Sequence, residues 1–337
     1  MKKRVAFGGV SIALVAAVFV FVLPRIADYR AVWATVKDLT WQQISLLVLV
    51  TLLNLATFAP PFMVALPGLG FLRALTVTLG STASTYVAPG GAAVGTALSV
   101  AMLRAWRFGA QAIALAVTLV GVWNQLFMLG APAVALTMLT VSGGHDPLLQ
   151  TVALIGLCVF AIAVAGFAAA LSGPEIARAI GDVAARLATW AKSKLHRGPV
   201  TWTGHSLVRF RHGAIGLLRR RWWLLTLATT AGQLTVFLVL LACLRTLGVS
   251  SAQVTLVEAF AAWTLVRLLG SLPLTPGGIG IVELGLTGAL IGFGGANAPV
   301  VASVLVYRFL TIVPTLILGT IAGATWRLHR REEPAAP

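Results

Sequence analysis

Long runs of hydrophobic residues alternate along the chain with short polar or glycine-rich stretches. A helix needs about 20 apolar residues to cross a bilayer core. Runs of suitable length lie at 5–24, 42–61, 108–141, 148–171, 222–244 and 297–324. This pattern predicts an all-α, polytopic membrane protein with six or seven full spans.

Two other apolar segments are each divided into short arms by a proline and two glycines. The first, at 74–106, has PGG at 89–91, and the second, at 253–294, has PGG at 276–278. Proline lacks an N–H donor and glycine loosens a helix, so a helix should break at each turn. Because the arms are shorter than a full span, we predict two re-entrant, broken-helix hairpins. The alternative for the second turn is a loop between two helices, with Glu283 at its solvated edge.

The two turns resemble each other and are separated by an odd number of predicted spans. APGGAAVG at 88–95 corresponds to TPGGIGIV at 275–282, with three spans between them. The second hairpin should therefore enter from the opposite face, which is the pattern of an inverted repeat. In such repeats broken helices meet near the midplane and form a ligand site.

Composition and charge support a membrane location. The chain is 58% hydrophobic and only 10% charged, yet its formal net charge is +16. The segment between Ser172 and Trp222 contains ten Lys and Arg residues but only two acidic residues, and further basic residues flank the spans at both ends of the chain. Such clusters indicate the cytoplasmic side, so we predict cytoplasmic termini and expect no nucleic-acid binding. Anionic lipid headgroups are a plausible second partner of the basic segment.

The predicted organisation is a single integral membrane domain. A first half at 1–171 and a second half at 222–326 each contain one hairpin, and the basic cytoplasmic segment at 172–221 connects them. Within that segment, Ile176, Val183 and Trp190 recur at helical spacing among basic residues. They predict an amphipathic helix on the inner leaflet, or equally a solvated linker helix.

Ionisable residues within the apolar second half suggest the site. Arg308 lies 11 residues after Asn297, which places it about 16 Å deep. A buried arginine needs a partner, and Glu283 is the nearest by estimated depth, with Arg267 completing a triad. The alternative is a structural ion pair. The predicted substrate-binding residues are Pro89, Gly90, Gly91, Arg267, Pro276, Gly277, Gly278, Gly280, Glu283, Tyr307 and Arg308.

The sequence predicts no metal or cofactor and favours transport over catalysis. Cys158 and Cys243 fall in predicted spans as packing residues, and the nine acids form no DxD cluster. We predict translocation of a phospholipid or another lipid-linked anionic substrate between leaflets. The alternatives are a membrane enzyme acting on a lipid-linked donor and a non-transporting scaffold.

These motifs also carry a family resemblance. PGGIGIVE at 276–283, followed by YRFLT at 307–311 and then Pro314 and Gly319, resembles the flippase-like transmembrane family named for the membrane region of lysylphosphatidylglycerol synthase. The resemblance implies a bacterial inner-membrane protein that moves a phospholipid or lipid-linked product. Family members often have Arg before the motif glutamate, where this chain has Val282. The soluble aminoacyl-transferring domain of the synthase is not expected here.

Overall fold

Helices account for every regular element in the part of the chain that the structure describes. The computed structural model describes residues 33–34, 36–87, 91–141, 147–194, 204–271 and 276–326. The helices are α1 (Trp41–Ala56), α2 (Pro60–Ala65), α3 (Phe71–Val87), α4 (Gly91–Ala105), α5 (Ala110–Val141), α6 (Pro147–Ser172), α7 (Pro174–Lys194), α8 (Gly204–Thr246), α9 (Leu256–Gly270), α10 (Ile281–Gly292) and α11 (Asn297–Thr325). The predicted all-α fold class is therefore confirmed. The predicted span at 5–24 and the turn residues Pro89 and Gly90 lie outside the described residues.

Five stretches in the described ranges are long and apolar enough to cross a membrane. They are Trp41–Ala65, Ala110–Val141, Gln150–Ser172, Phe210–Thr246 and Asn297–Thr325. Each corresponds to one predicted span. The first is interrupted between α1 and α2, where Pro60 begins the second helix, because proline is well suited to a first helical position.

One predicted boundary is wrong. The sequence predicts a change from a polar segment to a span at Trp222, but α8 is one helix of 43 residues that continues through this point. The predicted span at 108–141 is present as the single helix α5, which runs through Pro132. Arginine is a good helix former, so a change in polarity at 219–221 does not require a change in backbone conformation.

The basic segment forms a helical hairpin made of α7 and the first part of α8. The predicted helix through Ile176, Val183 and Trp190 is present as α7, which begins at Pro174 with Glu175 in its first turn. The Arg211 guanidinium of α8 donates to the Leu171 and Ser172 carbonyl oxygens at 2.9 and 3.2 Å, which caps the end of α6. Ile176, Val183 and Trp190 remain exposed, by 46%, 49% and 63%.

The two glycine-rich segments form helical hairpins. Helices α3 and α4 have 17 and 15 residues, and α9 and α10 have 15 and 12. All four are shorter than the roughly 20 residues needed to cross a bilayer. In the first hairpin, a Cβ atom at Gly91 or Gly95 would overlap the backbone of Thr85 or Ser81. Glycine at these two positions therefore allows α4 to pack closely against α3.

The hairpins approach each other from opposite ends of α11. Gly295, just before α11, packs against Val254 at the base of the second hairpin. Further along, Arg308 contacts the turn of that hairpin, and Gly319 packs against α3 of the first hairpin. At the far end, Trp326 joins the apolar cluster that contains Ala74 at the base of the first hairpin. The two hairpins therefore contact α11 towards its opposite ends, whereas the inverted repeat and the insertion of the hairpins into a bilayer stay predictions.

Candidate functional site between the two hairpins

The PGG turn of the second hairpin has a backbone that only glycine adopts easily. Gly277, Gly278 and Gly280 have φ values of +62°, +67° and +89°, in the region that L side chains rarely occupy. A Cβ atom at Gly277 would also overlap the ring of Tyr86, near the end of α3. Gly277 therefore allows both the turn and the direct contact between the tips of the two hairpins.

Glu283 joins this turn to the helix that follows it. It is the third residue of α10 and its side chain is only 2% exposed. One carboxylate oxygen accepts from the Gly280 N–H at 2.5 Å, and the other accepts from Nε of Arg308 at 2.6 Å. A carboxylate in the first turn also interacts favourably with the helix dipole. The predicted pairing of Glu283 with Arg308 is confirmed.

Arg308 is the central cation of the site. Besides its bond to Glu283, its Nη2 donates to the Gly277 carbonyl oxygen at 3.2 Å. A guanidinium has five N–H donors, so three have no partner among the residues that the structure describes. The side chain is 11% exposed and lines the cavity described below. Those remaining donors are available to a ligand.

Arg267 lies in the same region but does not complete the predicted triad. Its guanidinium stacks on the ring of Trp263, 4.9 Å from the centroid. Trp263 is fully buried and donates from its indole N–H to the Tyr307 hydroxyl at 3.2 Å. Within the described chain Arg267 has no ion-pair partner, so stacking orients it while its N–H groups stay unbonded. The prediction that Arg267 pairs with Glu283 is wrong.

A cavity of about 730 Å³ lies where the two hairpins, α5, α8 and α11 converge. This volume is within the usual range of ligand sites. Arg267 and Arg308 are the charged side chains lining it in the described part of the structure. Most other polar groups on its wall are hydroxyls and amides. Because Glu283 neutralises only Arg308, the cavity retains one uncompensated positive charge.

Helix α3 contributes more hydroxyl groups to the cavity wall than any other described helix. Thr78, Ser81, Thr82 and Thr85 line the cavity, and each donates its hydroxyl proton to a backbone carbonyl oxygen three or four residues earlier. Their hydroxyl oxygens keep the capacity to accept hydrogen bonds. This side of the cavity is therefore a row of neutral acceptors.

Sequence reasoning missed the contribution of α8. Gln233 donates to the Asn124 side-chain oxygen of α5 at 2.5 Å, and this bond links α8 to α5. The other amide atom of Gln233, Oε1, and the hydroxyl of Thr229 are buried without a partner in the described structure, and both residues line the cavity. Gln233 lies in the middle of the predicted span at 222–244, and a polar amide at that position could have indicated its role from the sequence alone.

The predicted site residues fall into three groups. Arg267, Arg308, Gly277 and Tyr307 line the cavity. Buried behind it are Glu283, Gly278 and Gly280, which shape the turn. The third group lies outside both sets: Pro276 begins the same turn, Gly91 packs against Thr85 of α3, and Pro89 and Gly90 are not among the described residues.

Comparison with known protein families agrees with this architecture. The profile of the lysylphosphatidylglycerol synthase TM region matches residues 8–319, which include both hairpins and every residue that lines the cavity. A search of curated proteins finds no match. The family assignment therefore rests on a match that extends over most of the sequence. The chain is an integral membrane protein that belongs to the family of the lysylphosphatidylglycerol synthase transmembrane region.

Proposed function

We propose that the protein translocates a phospholipid or another lipid-linked anionic substrate between the leaflets of a bacterial inner membrane. The observation that carries the proposal is the cavity between the two hairpins, with Arg267 and Arg308 on its wall. Placing a cationic site inside an apolar helical protein costs free energy, so such a site is by default a candidate functional site. An anionic headgroup that enters from the lipid supplies that role.

The unused donors of the two arginines suit a phosphate. Arg308 is fixed by Glu283 and by the Gly277 carbonyl oxygen, and Arg267 is fixed by Trp263. Planar guanidinium groups held in this way bind phosphate oxygens through two parallel hydrogen bonds. The headgroup would occupy the cavity while the acyl chains stay among lipid tails, and each hairpin would open the cavity to one leaflet.

The distribution of charge supports a topology with the basic segment in the cytoplasm. In the described residues, Arg73, Arg104 and 219–221 adjoin the apolar cluster at the base of the first hairpin. By the positive-inside rule we expect that end of the protein to lie in the cytoplasm, and we propose the same side for the chain termini. We propose a single membrane domain in which the 172–221 hairpin also contacts anionic headgroups.

The test is leaflet exchange of a fluorescent anionic phospholipid in liposomes that contain the purified protein. Replacing Arg267 with Gln removes the cation that has no ion-pair partner in the described structure. Its stacking on Trp263 is worth only about 0.5–2 kcal/mol, so the variant should fold. A lost charged hydrogen bond costs about 1.5–3 kcal/mol, and we expect exchange to slow by about tenfold or more.

Arg104→Gln is the matched control. Arg104 is exposed at the end of α4 and lies outside the cavity, so this variant loses the same charge without touching the site. Exchange should stay at the level of the unmodified protein. If the two variants slow exchange equally, or if neither does, the cavity is not the translocation site.

The other two functions remain separable by experiment. A membrane enzyme would turn over a lipid-linked donor in detergent without moving lipid between leaflets. A scaffold would lose its cellular effect when part of the 172–221 hairpin is deleted, while lipid exchange continued unchanged.

A further inference from the structure

We infer that lipid acyl chains enter the cavity through the gap between α4 and α5, and that the protein is closed at the corresponding position of the second hairpin. This inference rests on the proposed function and names the entrance that its substrate uses. The entrance and the two arginines are separate parts of one cavity, so the entrance has its own test.

The helices that follow the two PGG turns share one register. Helices α4 and α10 end, and α5 and α11 begin, at equal distances from the turns at 89–91 and 276–278. The loops between these helices also match, because Arg107 and Gly294 occupy the same position and both have a positive φ, of 63° and 112°. Residues of the two halves can therefore be paired by their distance from the turn.

This pairing shows that the ion pair of the second hairpin has no counterpart in the first. Thr96 of α4 occupies the position of Glu283, and Gly121 of α5 occupies the position of Arg308. Glu283 and Arg308 join α10 to α11 through a bond of 2.6 Å, whereas a glycine has no side chain that could reach α4. The link that joins the two helices after the second turn is therefore missing after the first.

The cavity reaches the surface where that link is missing. Thr96, Gly121 and Gln125 line the cavity, and all three are exposed. Their neighbours one turn away, Ala93 and Thr118, are also exposed but do not line the cavity, so the edge of the cavity runs between them. A Cβ atom at Gly121 would meet no atom within 4 Å in the described structure. The gap between α4 and α5 is therefore an open side of the cavity.

Acyl chains of membrane lipids are the occupant that suits this gap. The lining residues at its edge are uncharged, while Arg267 and Arg308 lie on the wall of the same cavity. A lipid whose phosphate binds these arginines must keep its acyl chains out of water, because exposing them costs ~0.8 kcal/mol per CH₂ group. A gap that continues from the cavity to the surface of a membrane protein satisfies the headgroup and the chains together.

The gap lies on the half of the protein that contains the basic base of the first hairpin. Thr96 precedes Arg104 by eight residues, which places it about 12 Å from that base, within a hydrocarbon core that is roughly 30 Å thick. Closer to the base, Leu103 and Ile113 are buried in one apolar cluster. With the proposed topology, the cavity is therefore open to the cytoplasmic leaflet, and the ion pair closes the corresponding route from the other leaflet.

The first experiment closes the gap reversibly. Thr96→Cys and Gly121→Cys are introduced together after both native cysteines are replaced, and a flexible bis-methanethiosulfonate reagent bridges the two thiols through disulfides. Leaflet exchange of a fluorescent anionic phospholipid should slow by about tenfold or more, equivalent to ~1.4 kcal/mol in the barrier, and should recover when the bridge is reduced. Unchanged exchange in the bridged protein would overturn the inference.

Thr118→Cys is the matched control. Thr118 is exposed on α5, one turn from Gly121, but does not line the cavity. The same reagent attached there forms no bridge to α4, so exchange should stay at the level of the untreated variant. A decrease as large as that of the bridged pair would mean that the reagent acts outside the gap, which would also overturn the inference.

The second experiment detects acyl chains in the gap without requiring exchange. Bimane attached to Gly121→Cys should be quenched by phospholipids with brominated acyl chains about as strongly as bimane on Ile162→Cys, a position on α6 that is 71% exposed. Quenching by aqueous iodide instead would indicate a water-filled opening, and quenching by neither would indicate that another part of the chain covers it; both results would overturn the inference. Quenching by brominated lipid without any leaflet exchange in the unmodified protein would leave the entrance standing and overturn the proposed function.

Discussion

Separating Arg308 from Glu283 should destabilise the protein by different amounts, depending on which partner is removed. Glu283 is 2% exposed, whereas Arg308 is 11% exposed and borders the cavity. Removing one member of a buried ion pair typically costs about 3–5 kcal/mol, because the other charge is left uncompensated. Arg308→Ala leaves the more deeply buried charge, so we expect its cost to fall in this range.

Glu283→Ala should cost less. The arginine that it leaves behind keeps its bond to the Gly277 carbonyl oxygen and is partly solvated through the cavity. The lost bond to the Gly280 N–H contributes about 1 kcal/mol, as other helix caps do. We therefore expect a total of about 2–3 kcal/mol, below the cost of Arg308→Ala.

The measurement is the free energy of unfolding in mixed detergent micelles, obtained by titration with SDS for both single variants and the double alanine variant. Because the double variant leaves no unpaired charge, its cost should be at least ~2 kcal/mol below the sum of the single costs. In the Arg308→Ala background, Glu283→Gln should restore stability, since the amide keeps an acceptor for Gly280 without a charge. Additivity within ~0.5 kcal/mol, together with no restoration by Gln, would refute the argument.

Two further predictions test the hairpins. Gly277→Ala should lower the free energy of unfolding by ~1–3 kcal/mol, because the methyl group meets the Tyr86 ring at a positive φ; a thermal melt in detergent that matches the unmodified protein would contradict this contact. Single cysteines, introduced as Arg104→Cys and Asn297→Cys after both native cysteines are replaced, should react with an impermeant maleimide from opposite sides of sealed vesicles. The reason is that Arg104 lies at the base of the first hairpin and Asn297 lies near the base of the second. Labelling of both from the same side would exclude hairpins that enter from opposite faces.

The hairpins and the ion pair were predictable because the signals are local. A PGG turn between arms that are too short to cross is visible in the sequence, and helical rise gives an approximate depth for Arg308 and Glu283. Both estimates depend on distance along one helix, which sequence determines well.

The cavity wall and the extent of α8 were not predictable in the same way. Which face of α8 meets the cavity depends on packing between helices, so the role of Thr229 could not be deduced from its position in the chain. Arg267 is a different case: it stacks on Trp263, four residues earlier on α9, and side chains at that spacing are neighbours on a helix, so this contact could have been predicted from the sequence. The end of a helix depends on backbone signals such as Gly and Pro, so a run of arginines at 219–221 marks an interface without ending the helix.

The bonds of Arg308 connect a ligand mechanically to the hairpin turn. One edge of the guanidinium donates to the Glu283 carboxylate and the Gly277 carbonyl oxygen, and the same side chain lines the cavity. The group is planar and rigid, so a force that tilts it is transmitted to the start of α10 and to the turn. We therefore expect a ligand bound to Arg308 to shift the position of the hairpin turn, because the same side chain is bonded to both.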